Sequence, residues 1–323
     1  MFSFTTELVR GDRSPLELIE DVLASGVTDT IEVDGPQCFT SLPVFPPEEV
    51  TAFREMVDRT GVGLSMLGVY NDRFTRPGHV FTAQEGADFI SGQLASAAAL
   101  GFRDTRIAFP TDPEVLRLVA PSAEEHGVRL LQEVQGAATP DDLIRALEAV
   151  DRIGSDALGF VFDLSACMPA LPLTYLEALR RDGVPSSLVS YLDDAWRADS
   201  LDSMRQRLAE LSQDLPLAPA ARTRLSMPFG RFGRTTVADW RPLLSHFDAI
   251  HLKFWDLEDD ELRVSAPIAD VRQEFGAIGY DGVVTSEWGG HEWFELAEHG
   301  GQEMSVGHRR LYDESVVLDQ QSV

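Results

Sequence analysis

The sequence predicts an α/β protein, and more specifically an eight-stranded (β/α)8 barrel with a helical insertion after its sixth strand. Short apolar runs alternate in regular order with longer amphipathic segments, as expected when strands and helices take turns along a chain. The apolar runs are nearly continuous, which is typical of parallel strands covered on both faces. The 323 residues, 44% of them apolar, are sufficient for one large barrel domain. A doubly wound open sheet is the alternative architecture.

The predicted elements follow one another with clear turn signals. The strands lie at residues 1–8, 29–35, 62–70, 104–110, 128–136, 158–167, 248–256 and 281–290. After the first strand, Ser14 is a predicted N-cap, Pro15 stands at the first helical position and Glu17 completes a capping box. The other helices of the barrel are expected at 46–61, 82–101, 111–127, 139–154, 236–247 and 268–280. We expect Pro121 to interrupt one of them.

Residues from about 172 to 221 break this rhythm. They contain two predicted helices, 174–183 and 200–213, and no obvious barrel strand, so we assign them to an insertion. The stretch 222–234 is predicted to form a short strand followed by a loop. On this basis residues 1–316 form a single barrel domain that includes the insertion, and residues 317–323 form a frayed tail.

The charge of the chain limits its partners. With 53 acidic and 27 basic residues, its formal net charge is −26, which repels nucleic-acid phosphates and anionic membrane surfaces. No apolar run approaches the roughly 20 residues of a membrane span, and the N-terminus lacks the features of a signal peptide. Two distant cysteines, Cys38 and Cys167, do not indicate a disulfide scaffold. We therefore expect a cytoplasmic protein that binds neither nucleic acid nor membranes.

Four residues with metal-binding side chains stand at the ends of the last four predicted strands. Glu133, Asp163, His251 and Glu287 each lie within or just after an apolar run. In a (β/α)8 barrel the carboxyl ends of the strands surround the active site, where an unpaired charge is costly. Each residue alone could be a solvated or arginine-paired side chain. Four on consecutive strands favour one shared divalent ion, such as Mn²⁺, Co²⁺, Mg²⁺ or Zn²⁺.

The motifs around these residues resemble those of the xylose isomerase-like TIM barrels, the sugar phosphate isomerase/epimerase superfamily. The matching segments are "LLQEVQG", "FVFDLSA", "IHLKFWD" and "GYDGVVTSEW". The resemblance implies one metal ion, most often manganese, held by the four residues, and proton abstraction with enediolate stabilisation on a sugar. It also implies that Glu133 and Glu287 exchange the proton. The sequence departs from the family pattern where Ala166 and Gln135 replace common histidines.

A narrower resemblance links the ending "SEWGGHEW" and the insertion to the large, or alpha, subunit of C-glycoside deglycosidases. It implies a lyase that cleaves a C–C glycosidic bond of an oxidised sugar conjugate, together with a small β-rich partner subunit. A histidine base is then expected, and His291 is the nearest candidate. A homo-oligomer is the other possible assembly.

Further site residues are predicted near the strand ends. Lys253 is the only lysine of the chain and shares a strand face with His251, so it is expected to bind substrate oxygen or pair with a carboxylate. Trp288, Arg231 and Arg234 are candidate substrate-binding residues; aromatic packing and surface exposure are their alternatives. The remaining alternative function is a barrel that binds or assembles without catalysis. Motifs typical of dehydrogenases, NTPases and serine hydrolases are absent.

Overall fold

The computed structural model describes residues 13–71, 78–293 and 301–320. In these ranges the sheet has seven strands, each parallel to and paired with the next along the chain. They are β1 (Thr30–Asp34), β2 (Gly63–Gly68), β3 (Asp104–Ala108), β4 (Arg129–Val134), β5 (Leu158–Asp163), β6 (Ala249–Phe254) and β7 (Val283–Trp288). They match the second to eighth predicted strands; the first, at residues 1–8, lies outside the described residues. The predicted α/β barrel is confirmed as a nearly closed barrel of parallel strands.

The sheet curls strongly enough for its first and sixth strands to contact each other across the interior. The carboxylate of Glu32 on β1 lies 2.9 Å from Nε2 of His251 on β6. This curl places the carboxyl ends of all seven strands around one opening, which we call the mouth of the barrel.

Helices flank the strands and fill the connections between them. They are α1 (Pro15–Ala24), α2 (Gly35–Cys38), α3 (Pro47–Thr60), α4 (Ala83–Leu100), α5 (Pro113–His126), α6 (Pro140–Ile153), α7 (Leu173–Arg181), α8 (Ser186–Ala198), α9 (Leu201–Ser212), α10 (Pro219–Ser226), α11 (Pro228–Arg231), α12 (Ser265–Ala277) and α13 (Gly301–Gln320). Short 3-10 helices span Leu164–Ala166, Val237–His246, Asp260–Leu262 and Gly290–Glu292. Among the described residues, no helix is both long and apolar enough to cross a membrane.

The helix boundaries follow from the local sequence signals. The capping box of α1 is confirmed, because the Ser14 side chain accepts a hydrogen bond from the Glu17 amide and the Glu17 carboxylate accepts one from the Ser14 amide. The predicted interruption at Pro121 is wrong, since α5 continues through it. Pro121 lies on the exposed side of α5, where water can satisfy the carbonyl that loses its partner.

The segment after β5 forms a group of five helices, α7 to α11, with its own apolar core. Its buried side chains include Tyr175, Leu192, Trp196 and Phe232, and Phe232 contacts Trp255, which follows β6. The short strand predicted within 222–234 is wrong, because α10 and α11 occupy most of that stretch. The buried side chains of this stretch, Leu225 and Phe232, face the helical core. Their burial therefore does not require a strand.

Candidate metal centre

The four strand-end residues predicted to bind metal meet inside the barrel. Nδ1 of His251 lies 2.9 Å from Oε1 of Glu133, 2.9 Å from Oε2 of Glu287 and 3.9 Å from Oδ2 of Asp163. All four residues are buried, and one potential ligand atom from each falls within 4.8 Å of the others. Opposite oxygen ligands of an octahedral Mg²⁺ are about 4 Å apart, so this set is close to the size of a divalent-ion site.

Strand register explains why these side chains meet. Asp163 on β5 pairs with His251 on β6, and Lys253, two residues further along, pairs with Glu287 on β7. Residues two apart on a strand point to the same face, so His251 and Lys253 both point inward. Their neighbour Leu252 points outward into the apolar layer beneath the helices.

Asp163 has one carboxylate oxygen that the described residues leave unsatisfied. Oδ1 accepts a hydrogen bond from the Ser165 amide at 2.7 Å, while Oδ2 is buried and has no hydrogen-bond partner in the described parts of the chain. Burial, together with the nearby carboxylates of Glu287 and Glu133, raises the pKa of Asp163 well above its ordinary value. A divalent cation would satisfy the free oxygen and offset this repulsion, so the residues present fit a metal ion.

Two cations hold the other carboxylates in their charged form. Nη1 of Arg106 donates to Oε2 of Glu133 at 3.0 Å, and Lys253 forms a buried ion pair with Glu287. Burial opposes ionisation of Glu133, but Arg106 outweighs it and lowers the pKa of Glu133 to about 2. Burial also opposes ionisation of Glu287, but the neighbouring Lys253 and His251 have the larger effect and lower the pKa of Glu287 well below its ordinary range. Both carboxylates are therefore anionic at neutral pH, as a metal ligand of this type must be.

A second group of polar residues, not predicted from the sequence, adjoins this cluster. Nε of Arg106 donates to Oε1 of Glu32 at 2.9 Å, and Nη2 of Arg106 lies 3.7 Å from Oδ2 of Asp34. The Tyr70 hydroxyl donates to the same Asp34 oxygen at 2.8 Å. A signal was present in the sequence: Asp34 stands at the end of the apolar run "TIEVD", as the four predicted ligands do in theirs, whereas Glu32 and Arg106 interrupt the runs "TIEVD" and "DTRIA".

Arg231 lies at the rim of the mouth. It forms an ion pair with Glu292, which follows β7, and its Nη1 lies 3.4 Å from Oε1 of Gln135, which follows β4. Burial lowers the pKa of Arg231, but Glu292 and the more distant Glu287 and Asp163 raise it above its ordinary value. The helices after β5 thus bring the Arg231 guanidinium to the rim of the mouth.

The other predicted substrate contacts have different surroundings. The Arg234 guanidinium lies over the Trp196 ring at 5.4 Å and donates to the Asp199 carbonyl, both within the helical group. Trp288 is 1% exposed and packs against Phe254 and Met304 on the outer side of β7. Trp288 therefore points away from the barrel interior, and the contacts of Arg234 lie within the helical group; a substrate contact by either residue stays a prediction.

The backbone of His291 belongs to the 3-10 helix Gly290–Glu292, directly after β7. Its side chain lies outside the described residues, so the predicted role of His291 as a base stays a prediction.

Comparison with known proteins supports the resemblance drawn from the motifs. The chain is 28% identical over 306 residues to a protein of Arthrobacter globiformis named C-glycoside deglycosidase alpha subunit, covering 92% of this chain and 86% of that protein. It is 24% identical over 305 residues to the 3'-dehydrocarminate deglycosidase alpha subunit of Microbacterium sp, covering 91% and 88%. The chain matches no protein-family model.

Among solved structures, the chain is similar to that of an L-ribulose 3-epimerase, with a TM-score of 0.53 and 13% identity, covering 95% of this chain and 92% of that one. At this identity the likeness concerns the fold alone. The motif-based resemblance to deglycosidase subunits and to sugar epimerase barrels is thus confirmed at the level of relatives and of fold.

Proposed function

We propose that this chain is the catalytic barrel of a divalent-metal-dependent deglycosidase that cleaves the C–C bond between an oxidised sugar and its aglycone. The observation that carries the proposal is the buried cluster of Glu133, Asp163, His251 and Glu287, whose ligand atoms lie within 4.8 Å of one another. Two curated relatives that span nine-tenths of the chain support the substrate class through their names, because one is called a C-glycoside deglycosidase alpha subunit and the other a 3'-dehydrocarminate deglycosidase alpha subunit.

The proposed reaction is an elimination, which requires neither an oxidant nor a reductant. In a C-glycoside whose sugar carries a ketone two carbons from the glycosidic carbon, the intervening carbon bears an acidic proton. A base removes this proton, its electron pair forms a double bond to the glycosidic carbon, and the bond to the aglycone breaks. The departing carbon takes up a proton, so the products are an unsaturated keto sugar and the free aglycone. A divalent ion in the cluster would stabilise negative charge at the carbonyl oxygen.

Different residues of the mouth are proposed to transfer the proton, stabilise negative charge and bind the aglycone. Glu133 and Glu287 are the proposed proton-transfer groups as well as ligands. The contacts that keep them anionic also make them weak bases in the absence of substrate, so a further base such as His291 suits the proton removal. Lys253, held beside Glu287, can stabilise negative charge on a substrate oxygen. Arg231 at the rim is placed to bind an acidic or phenolic aglycone.

A sugar isomerase or epimerase is the second candidate. It is favoured by the position of Glu133 and Glu287, which approach Nδ1 of His251 at equal distances of 2.9 Å and could exchange a proton with a ketose. Proton abstraction next to a carbonyl is common to both candidates, and they differ only in whether a C–C bond then breaks. A barrel without catalysis is a third possibility, which the buried ligand set disfavours.

A partner subunit is part of the proposal. The curated relatives are named alpha subunits, and a small β-rich partner is proposed from the motif resemblance. We also retain the cytoplasm as the proposed location, with which the free thiols of Cys38 and Cys167 are compatible.

The proposal is tested by supplying the Mn²⁺-loaded chain with a 3-keto C-glycoside and, separately, with ketohexoses. Free aglycone detected by liquid chromatography and mass spectrometry, absent after chelation, supports the deglycosidase. Epimerised ketohexose without aglycone release would favour the second candidate. No turnover of either substrate class, by the chain alone or with a small subunit co-purified from its host, would contradict both.

A further inference from the structure

Glu32 is a buried carboxylate that contacts a predicted metal ligand from the side opposite the other ligands. Its Oε2 lies 2.9 Å from Nε2 of His251, whereas Nδ1 of the same ring faces Glu133 and Glu287. The Glu32 side chain has no exposed surface, so water does not compete for this contact. The two ring nitrogens therefore have separate partners on opposite sides.

The hydrogen bonds available to the ring decide which nitrogen can bind a metal ion. An ionised carboxylate only accepts hydrogen bonds, so the contact of Glu32 with Nε2 requires that this nitrogen carries the proton. A metal ion among the ligands can bind only Nδ1, because Nδ1 faces Glu133 and Glu287 whereas Nε2 faces Glu32.

From this geometry we infer that Glu32 is a positioning residue that holds the Nε2–H of His251 and thereby reserves Nδ1 for the divalent ion. This inference rests on the proposed metal-dependent function. In metal sites a carboxylate that accepts from the distal nitrogen of a histidine ligand fixes its tautomer and ring orientation. Glu32 would supply this contact from β1, on the far side of the barrel from β6.

Arg106 connects the positioning residue to a ligand. Its Nε donates to Oε1 of Glu32 at 2.9 Å, and its Nη1 donates to Oε2 of Glu133 at 3.0 Å. The guanidinium is planar and rigid, so these two bonds fix the positions of Glu32 and Glu133 relative to each other. Because Arg106 binds Oε1 of Glu32, the other carboxylate oxygen, Oε2, faces His251. The site is therefore supported by β1 and β3 as well as by the four strands that carry its ligands.

The test measures Co²⁺ affinity and the visible absorption spectrum of the Co²⁺-loaded chain, in the wild type and in three variants. Glu32→Leu removes the acceptor, whereas Glu32→Gln retains an amide oxygen that can accept from Nε2–H. Glu274→Leu is the matched control, because Glu274 is also buried and paired with an arginine, Arg241, but lies on α12 outside the cluster.

We expect Glu32→Leu to weaken Co²⁺ binding by about 10- to 100-fold and to alter the spectrum, with a smaller loss in Glu32→Gln and none in Glu274→Leu. Wild-type affinity and spectrum in a folded Glu32→Leu would overturn the inference while leaving the metal site intact. If Glu32→Leu does not fold, Glu32→Gln decides: an unchanged affinity and spectrum overturn it. Failure of the wild type to bind Co²⁺ would instead contradict the proposed function, and with it the premise of this inference.

Discussion

Lys253 and Glu287 lie directly opposite each other on β6 and β7 and form an ion pair that is buried inside the barrel. The pair joins the only lysine of the chain to a predicted metal ligand. Replacing Lys253 with methionine leaves the Glu287 charge buried without its cation, so we expect the metal-free chain to lose about 3 kcal/mol of stability. Urea denaturation with a chelator measures this loss.

The control for Lys253 is a double-mutant cycle. If the ion pair carries the effect, Lys253→Met combined with Glu287→Leu should cost less than the sum of the two single variants. Additive losses would show that the pair contributes no coupling, and the proposed electrostatic role of Lys253 would then be wrong.

The two arginines of "GRFGR" should differ in their effect on substrate binding. Arg231 lies at the mouth beside Glu292 and Gln135, whereas Arg234 lies over Trp196 in the helical group. Loss of a charge-assisted hydrogen bond costs about 1.5–3 kcal/mol, so Arg231→Ala should raise KM for an acidic or phenolic C-glycoside about tenfold or more. Arg234→Ala is the matched control. Equal KM values for the two variants would refute a substrate contact by Arg231.

Variants of Trp288 distinguish a structural packing role of its ring from a substrate-stacking role. Its ring is buried with Phe254 and Met304, and its Nε1 donates to the Trp255 carbonyl at 3.0 Å. We expect Trp288→Ala to lower the free energy of unfolding by about 3–5 kcal/mol. Trp288→Phe, which keeps most of the ring, should retain the wild-type KM. A large rise in KM for a stable Trp288→Phe would instead support a substrate-stacking role.

His308 should make the stability of the fold depend on pH. It stacks on Phe254 at a centroid distance of 3.8 Å, its Nδ1 lies 2.7 Å from the Ser286 hydroxyl, and burial lowers its pKa to about 3. The unfolded chain takes up a proton at this histidine near its ordinary pKa of 6.5, whereas the folded chain stays neutral. The contribution of the neutral His308 side chain to the free energy of unfolding is therefore fully present above about pH 6.5 and is lost as the pH falls towards 3.

The measurement compares wild type with His308→Gln between pH 7.5 and 4.5. The free energy of unfolding of the wild type should fall more steeply, by at most about 1.4 kcal/mol per pH unit, because one extra proton binds the unfolded chain. Parallel pH profiles for the two proteins would exclude His308 as the source.

The barrel and the cluster of four candidate ligands could be predicted because both depend on local patterns. Apolar runs separated by capped helices gave the strand order, and the rule that sites lie at strand ends identified Glu133, Asp163, His251 and Glu287. The rule does not extend to Glu32 and Arg106. Arg106 pairs in register with Leu131, two residues before Glu133, and reaches the cluster only through its long side chain.

Other errors arose where tertiary packing decides the structure. The stretch 222–234 is apolar and arginine-rich, and only its contacts with the helical core around Tyr175 show that it is helical rather than extended. The direction of Trp288 could have been predicted from strand alternation, since Glu287 points inward and adjacent residues on a strand point to opposite faces. The ion pair of Arg231 with Glu292 joins residues 61 positions apart, so no local pattern indicates it.

The central claim is that Glu133, Asp163, His251 and Glu287 hold one divalent ion, and elemental analysis of chelator-stripped protein after incubation with Mn²⁺ tests it most directly. Asp163→Asn and Glu287→Gln change ligands. Asp256→Asn is the control, since Asp256 is also buried and follows the same strand as His251 but accepts its hydrogen bonds from Thr174. We expect about one Mn²⁺ per chain in the wild type and in Asp256→Asn, and a clear loss of bound Mn²⁺ in both ligand variants. No bound metal in the wild type, or an undiminished amount in Asp163→Asn and Glu287→Gln, would contradict it.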